Sequence, residues 1–196
     1  NINDYEIYYS HQNDNRLFNR GAIKNIGFLA IKDKYPNNYK NITFVFNDID
    51  TLPYKKNTFN YITNKNIIKH FYGFNYALGG IVSITGEDFE KIKGFPNNWG
   101  WGLEDNTLQD RALNNNLIID RSIFYPINDK NILQIKDAPN KILNNIEPKL
   151  YKNNRLDNIN HINNLKYNIL QEDTNSYIIN INNFDTLYNP LKKEIY

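Results

Sequence analysis

The sequence predicts an α/β fold, in which strands and helices alternate along the chain. Two observations carry this. A strand, a helix and a second strand open the chain, and a further strand–helix alternation runs between residues 77 and 124. The size agrees. The 196 residues, 40% of them hydrophobic, suffice for one domain with a real core. With no repeat and no linker in view, residues 1–196 read as a single domain.

Tyr5–Ser10 is an aromatic, β-branched run and reads as a strand. Asn13-Asp14-Asn15 is a turn cluster able to cap a helix. From Arg16 to Ile31 the residues Leu17, Ala22, Ile23, Ile26, Leu29 and Ala30 recur at helical spacing, although Gly21 and Gly27 weaken the helix. Tyr35-Pro36-Asn37-Asn38 ends it. Ile42–Phe46 is a nearly continuous apolar strand of the kind buried in a parallel sheet, so the three elements read as a βαβ unit. Ala77–Ile84 reads as a strand containing Gly79 and Gly80, and glycine in a strand marks close approach by a ligand or another backbone. Thr85 is placed to cap a short helix over Gly86–Lys93, with Asp88 at the third position after it. A helix starting near Leu103 carries Glu104, Asp105 and Arg111 and ends at Asn114-Asn115-Asn116. Leu117–Phe124 and Tyr177–Ile181 read as strands, and Asp129–Asp173 is Asn-rich without an assigned element.

Composition excludes several classes of function. Lys and Arg number 23 against 21 Asp and Glu, a net charge of +2, too little to hold nucleic acid non-specifically. Cysteine is absent, which removes disulfides, zinc-thiolate sites and cysteine nucleophiles. The histidines are His11, His70 and His161, and His70 and His161 read as structural or surface residues. No apolar run approaches the roughly 18 residues of a spanning helix. Roughly a fifth of the residues are Asn, a bias toward AT-rich codons read as a genome signature. The chain begins at Asn1 and contains no Met, so a preceding segment is expected to have been removed.

Three constellations carry candidate chemistry. Asp48-Ile49-Asp50 follows the apolar strand directly, where ligands of open α/β sheets bind. Its paired carboxylates suit a hard divalent cation shared with substrate phosphates; the alternative is an ordinary turn, where Asp is common. Trp99-Gly100-Trp101-Gly102-Leu103-Glu104-Asp105 sets both tryptophans on a glycine-flanked loop just before two acids at a helix N-terminus, where negative charge is favoured. That pattern suits a mobile loop stacking on a sugar beside a general base; the alternative is an apolar loop tucked onto the core. Phe18-Asn19-Arg20-Gly21 reads by itself as amphipathic helix with one surface Arg.

Together these segments resemble the β-1,4-galactosyltransferase family. The match runs through Phe18-Asn19-Arg20-Gly21 with Asn25-Ile26-Gly27-Phe28, Phe46-Asn47-Asp48-Ile49-Asp50-Thr51-Leu52-Pro53, Gly79-Gly80-Ile81-Val82-Ser83, and Gly94-Phe95-Pro96-Asn97-Asn98-Trp99-Gly100-Trp101-Gly102-Leu103-Glu104-Asp105. It covers Tyr5 to about Lys136, with a weaker echo to Ile181. The resemblance implies a glycosyltransferase A-type fold, a Rossmann-like mixed sheet flanked by helices. It also implies an inverting, manganese-dependent hexosyltransferase that moves galactose or N-acetylgalactosamine from a uridine diphosphate (UDP) sugar to a glycan acceptor. By the same resemblance Phe18 and Arg20 contact UDP, Asp50 binds the metal and Asp48 lies beside the nucleotide. Gly80 is counted with the ligand-binding residues. Trp101 matches a mobile-loop tryptophan near the donor phosphate, Asp105 the catalytic base, and Glu104 an acid lining the donor sugar pocket.

The chain departs from the family pattern at named places. The family starts one strand earlier, with a segment that also holds the nucleotide. Its remaining metal ligands, a Met and a His, align with Gln134 and Asp137. Asn106 replaces an acceptor-binding Asp, and Ala77 replaces an aromatic that narrows the galactose pocket, which points to N-acetylgalactosamine as donor. These departures sustain a second reading, a non-catalytic glycan-binding or structural domain of the same fold. Family members work in the secretory lumen, whereas the composition equally suits a viral or microbial chain in a cytoplasm; the oligomeric state is open.

Overall fold

The computed structural model describes residues 4–100, 102–135 and 156–188. In chain order the elements are β1 (Ile7–Gln12), α1 (Arg20–Lys34), β2 (Thr43–Asn47), β3 (Thr51–Pro53), β4 (Ile67–Gly73), β5 (Ile81–Thr85), α2 (Gly86–Lys91), α3 (Glu104–Asn114), β6 (Ile118–Asp120), β7 (Tyr125–Pro126), β8 (Ile132–Gln134), β9 (Asn163–Asp173) and β10 (Ser176–Asp185). They fall into two compact units, one of residues 1–34, 95–104 and 142–196, the other of residues 35–94 and 105–141.

In the first unit β1 pairs in parallel with β10, and β10 in antiparallel with β9. Helix α1 starts at Arg20 rather than Arg16, because Asn19 supplies the cap: its Oδ1 accepts from the Ala22 N–H at 2.9 Å. The expected start fails because Asp14 is engaged locally, accepting from the Arg16 backbone and guanidinium. The buried face of α1, Ala22, Ile23, Ile26 and Ala30, packs with Ile179, Ile181, Phe184 and Trp99. Each large apolar side chain buried there contributes about 1.5–3 kcal/mol.

In the second unit the sheet order is β2-β5-β4-β6, with β7 also beside β4. β2 and β4 run antiparallel to β5, while β6 and β7 run parallel to β4. β3 and β8 form a separate antiparallel ribbon. β5 is buried throughout, and its last residue, Thr85, caps α2 as expected, accepting from the Asp88 N–H.

The α/β expectation holds, with a mixed sheet in each unit, but the βαβ unit does not. β1 and β2 lie in different sheets, since β1 finds its partner in the distant β10. β2 is an antiparallel edge strand with Phe44 buried and Val45 39% exposed, so its apolar run does not mark a parallel sheet. The strand expected over Ala77–Ile84 begins only at Ile81, because Gly80 adopts φ +68°, which an extended ladder cannot include. Leu117–Phe124 resolves into β6 and the separate β7. β3 and β4, and β8 and β9, arise where no element was assigned.

Candidate functional site

In the first unit a buried amide network joins α1 to the loop before α3. Asn25 donates to the Phe95 and Asn97 oxygens at 2.8 Å each and accepts from the Phe95 N–H at 2.9 Å. The Asn19 amide donates to the Asn97 carbonyl at 3.1 Å. A Cβ at Gly21 would overlap the Pro96 carbonyl, so glycine lets the helix reach the loop. The Asn97 amide in turn donates to Asp157 Oδ1 and the Asn158 carbonyl, at 2.8 and 2.7 Å. Burial pushes the Asp157 carboxyl above its usual range, against the hydrogen bond from Asn97 and the charge of His161, whose Nδ1 lies 3.3 Å from Oδ1.

This network positions three predicted residues. Phe18 is exposed and its carbonyl accepts from the Gly100 N–H at 3.0 Å. Arg20 approaches Glu104 at 4.0 Å. Glu104 is buried at the start of α3, and both of its carboxylate oxygens accept from the Gly102 N–H, at 3.1 and 3.2 Å. Trp99 belongs to the core and is not a sugar platform. It stacks on Phe184 at 5.2 Å, carries Arg16 on its ring, and donates from Nε1 to Thr186 Oγ1 at 2.9 Å. Trp101 lies outside the described residues.

In the second unit the acids after β2 sit in a pinned turn. The Asp48 N–H donates to the Gly80 carbonyl at 2.9 Å, and the Asp48 carbonyl accepts from the Thr51 N–H and hydroxyl, at 3.1 and 2.9 Å. Asp48 and Asp50 are half-buried, with Ile49 between them exposed. The β3–β8 register pairs Thr51 with Gln134, and the Ile135 N–H donates to the Asp50 carbonyl at 2.8 Å, so Gln134 lies beside the turn. Gln134 Oε1 accepts from the Tyr72 hydroxyl at 2.8 Å; burial raises the Tyr72 phenol, and the Asp50 charge adds to the shift.

Asp105 approaches the same region through glycine. A Cβ at Gly79 would overlap its carboxylate, and one at Gly80 would overlap the Tyr72 carbonyl. The Leu78 N–H donates to the Asp105 carbonyl at 3.0 Å. Gly79 and Gly80 therefore do mark close approach, by the Asp105 carboxylate and the β4 backbone. Asn106 is half-buried, its amide 3.5 Å from the Tyr76 carbonyl. Ala77 is 5% exposed. Among the described residues no group of three or more His, Asp and Glu side chains forms a metal site, and Asp137 lies outside them.

The structure thus gathers Asp48, Asp50, Gly80, Asp105 and Gln134 in one unit, and Phe18, Arg20 and Glu104 in the other. Sequence reasoning missed Asn25 and Asn97 as the residues that fasten the loop. In a chain so rich in Asn, a buried amide carries no compositional signal. His70, read as a structural or surface residue, is the former: it is fully buried on β4, and burial, then the Arg121 charge, push its imidazole down to about 4.

Comparison with known proteins agrees with this geometry. The family model described as the N-terminal domain of galactosyltransferase matches residues 65–132. The chain is 38% identical to mouse β-1,4-galactosyltransferase 4 over 121 residues, 56% of this chain and 33% of that protein. It is 29% identical to the human counterpart over 190 residues, 91% of this chain and 53% of that protein. The chain therefore spans between a third and about half the length of these relatives. Its fold matches the catalytic domain of Drosophila β1,4-galactosyltransferase 7, solved with xylobiose, at a TM-score of 0.69 and 24% identity, covering 90% of this chain and 79% of that one. A variant of the same protein, solved with manganese, UDP-Gal and xylobiose, matches at 0.65. The chain thus has the glycosyltransferase A-type fold and is similar in sequence to the β-1,4-galactosyltransferases over the part of them that it spans.

Proposed function

We propose that the chain is the catalytic domain of an inverting hexosyltransferase that moves galactose or N-acetylgalactosamine from a UDP-sugar to a glycan hydroxyl. The observation that carries this is the packing of the Asp105 carboxylate on Gly79, one residue from the Gly80 carbonyl that anchors the Asp48–Asp50 turn. A base and a candidate cation turn are thereby held on adjacent residues of one unit. Asp105 takes the proton of the acceptor hydroxyl as its oxygen attacks the anomeric carbon and the bond to the diphosphate breaks, a role worth typically ~10²–10⁴-fold. Arg20 and Phe18 bind the nucleotide, with Trp101 at the donor phosphate. Glu104, fixed by the Gly102 amide, lines the sugar pocket.

The donor set fits manganese, which the Drosophila relative holds together with UDP-Gal. Asp50 and Asp48 are half-buried acids, and Gln134, paired in register with Thr51 next to their turn, offers a carboxamide where the family has a thioether. Asp137 is assigned as a further ligand. When bound, the cation neutralises charge on the leaving diphosphate. Asn106 meets the acceptor through its carboxamide. Ala77 supports N-acetylgalactosamine as donor, the acetamido group taking the volume that a larger side chain would fill.

Calorimetric titration of UDP with and without manganese tests the reading. Binding is expected only with the metal, and an Asp50→Ala variant is expected to lose it. Metal-independent binding, or none, would favour a non-catalytic domain. Strict galactose preference in a donor screen would overturn the N-acetylgalactosamine assignment alone.

A further inference from the structure

We propose that His70 is a positioning residue for Asp105, holding Gly79 against its carboxylate, with Arg121 and Gln109 as the supporting frame. The inference rests on the reading of Asp105 as the base.

His70 is fully buried, and its Nε2 lies 3.0 Å from the Tyr72 carbonyl oxygen and 3.1 Å from that of Gly79. Carbonyl oxygens only accept, so Nε2 carries the proton and donates to both. Nδ1 is then the acceptor, and the Arg121 Nε–H donates to it at 2.9 Å. The Arg121 Nη2 donates to Gln109 Oε1 at 2.7 Å. Gln109 stands four residues after Asp105 on α3, on the same helical face. The chain of contacts is therefore closed. It runs from Asp105 along one turn of α3 to Gln109, through Arg121 and His70 to Gly79, and back to the Asp105 carboxylate. Every member lies in the unit of residues 35–94 and 105–141.

The position demands a donor on one side and an acceptor on the other. Lysine and arginine cannot accept from Arg121, and a carboxylate cannot donate to Gly79. Gly73 completes the fit. It has φ +142°, and a Cβ there would stand 2.9 Å from the Gly79 oxygen and 3.0 Å from His70 Nε2.

The test separates the two nitrogens. His70→Gln retains a donor at the Nε2 position, whereas His70→Asn retains only an acceptor at the Nδ1 position. His70→Gln is expected to keep kcat within about threefold. His70→Asn is expected to lower kcat by about 10–100-fold at unchanged donor KM, the size of loss that small misplacements of reacting groups cause. In parallel, amide hydrogen exchange of Leu78, whose N–H is bonded to Asp105, should accelerate about tenfold or more in His70→Asn and stay unchanged in His70→Gln. This second readout needs no turnover. Should His70→Asn fail to fold, Gly73→Ala gives the same contrast by driving His70 and Gly79 apart. An inactive Asp105→Asn beside wild-type kcat and Leu78 exchange in His70→Asn overturns the inference alone. Retained turnover in Asp105→Asn overturns the base reading and the inference with it.

Discussion

Glu104 and Asp105 are consecutive, yet the chain passes from one compact unit to the other between them, and the two carboxylates are held by different means. Glu104 is fixed by what surrounds it: the Gly102 amide on its oxygens, Arg20 nearby, and behind Arg20 the amides of Asn19, Asn25 and Asn97. Asp105 is fixed by what is missing, the side chain of Gly79. A hydrogen-bonded site fails when a partner is removed, because the group left behind is buried and unpaired. A close-packed site fails when an atom is added, because the added atom displaces the group packed there. The two units should therefore break under opposite kinds of substitution.

The largest effect is expected at the acids themselves. Asp105→Asn should lower turnover by ~10²–10⁴-fold with donor binding retained, read by steady-state kinetics beside UDP titration. Glu104→Gln should instead raise the donor KM, its neutral amide no longer attracting Arg20. Equal effects of both on kcat would erase the distinction between a reacting and a supporting carboxylate.

Gly79→Ala sharpens the comparison in the second unit. The added methyl overlaps the Asp105 carboxylate and should cost about 100-fold in kcat. Unchanged kcat would show that the close packing does not set the carboxylate's position.

Acid should act on the units in opposite directions. A histidine in the unfolded chain titrates near 6.5, while folded His70 is held down to about 4. Between those values the unfolded chain binds the proton and the folded chain does not, so the stability from His70 is complete above pH 6.5 and lost as pH falls toward 4. At 1.36 kcal/mol per pH unit the loss is about 3 kcal/mol. Urea unfolding of wild type and His70→Gln at pH 7 and pH 4 should differ by that amount in their pH dependence. Asp157 has the reverse sign: its folded carboxyl titrates above the unfolded value, so stability rises as pH falls through the folded value. Asp157→Asn should remove that gain.

Asn97→Leu is expected to act on stability alone, with no direct effect on the reacting groups. It keeps roughly the volume but strips a donor from Asp157 and from Asn158 and an acceptor from Asn25, costing about 1–3 kcal/mol for each buried group left unpaired, less any recovered by water. Urea unfolding reads it. A neutral result would mean that the loop is held by apolar packing around Trp99 instead.

Local chemistry was legible in the sequence. The Thr85 cap with Asp88, the helix beginning at Glu104 and Asp105, the turn of acids after an apolar strand, and glycines marking close approach all follow from residue types at short spacing. Such features depend on a few consecutive residues, and backbone sterics and capping act within a turn or two. The matching stretches of sequence also pointed to the family before any geometry was known. What only the tertiary structure decided is everything that joins distant positions. β1 pairs with β10, β2 runs antiparallel to β5, Trp99 goes into the core on Phe184, and Asn25 spends its amide on Asn97. Hydrophobic periodicity states that a face is buried but not against what, because burial is non-directional. A buried asparagine or histidine looks, in sequence, like an exposed one, and its partners are set only when the chain closes around it.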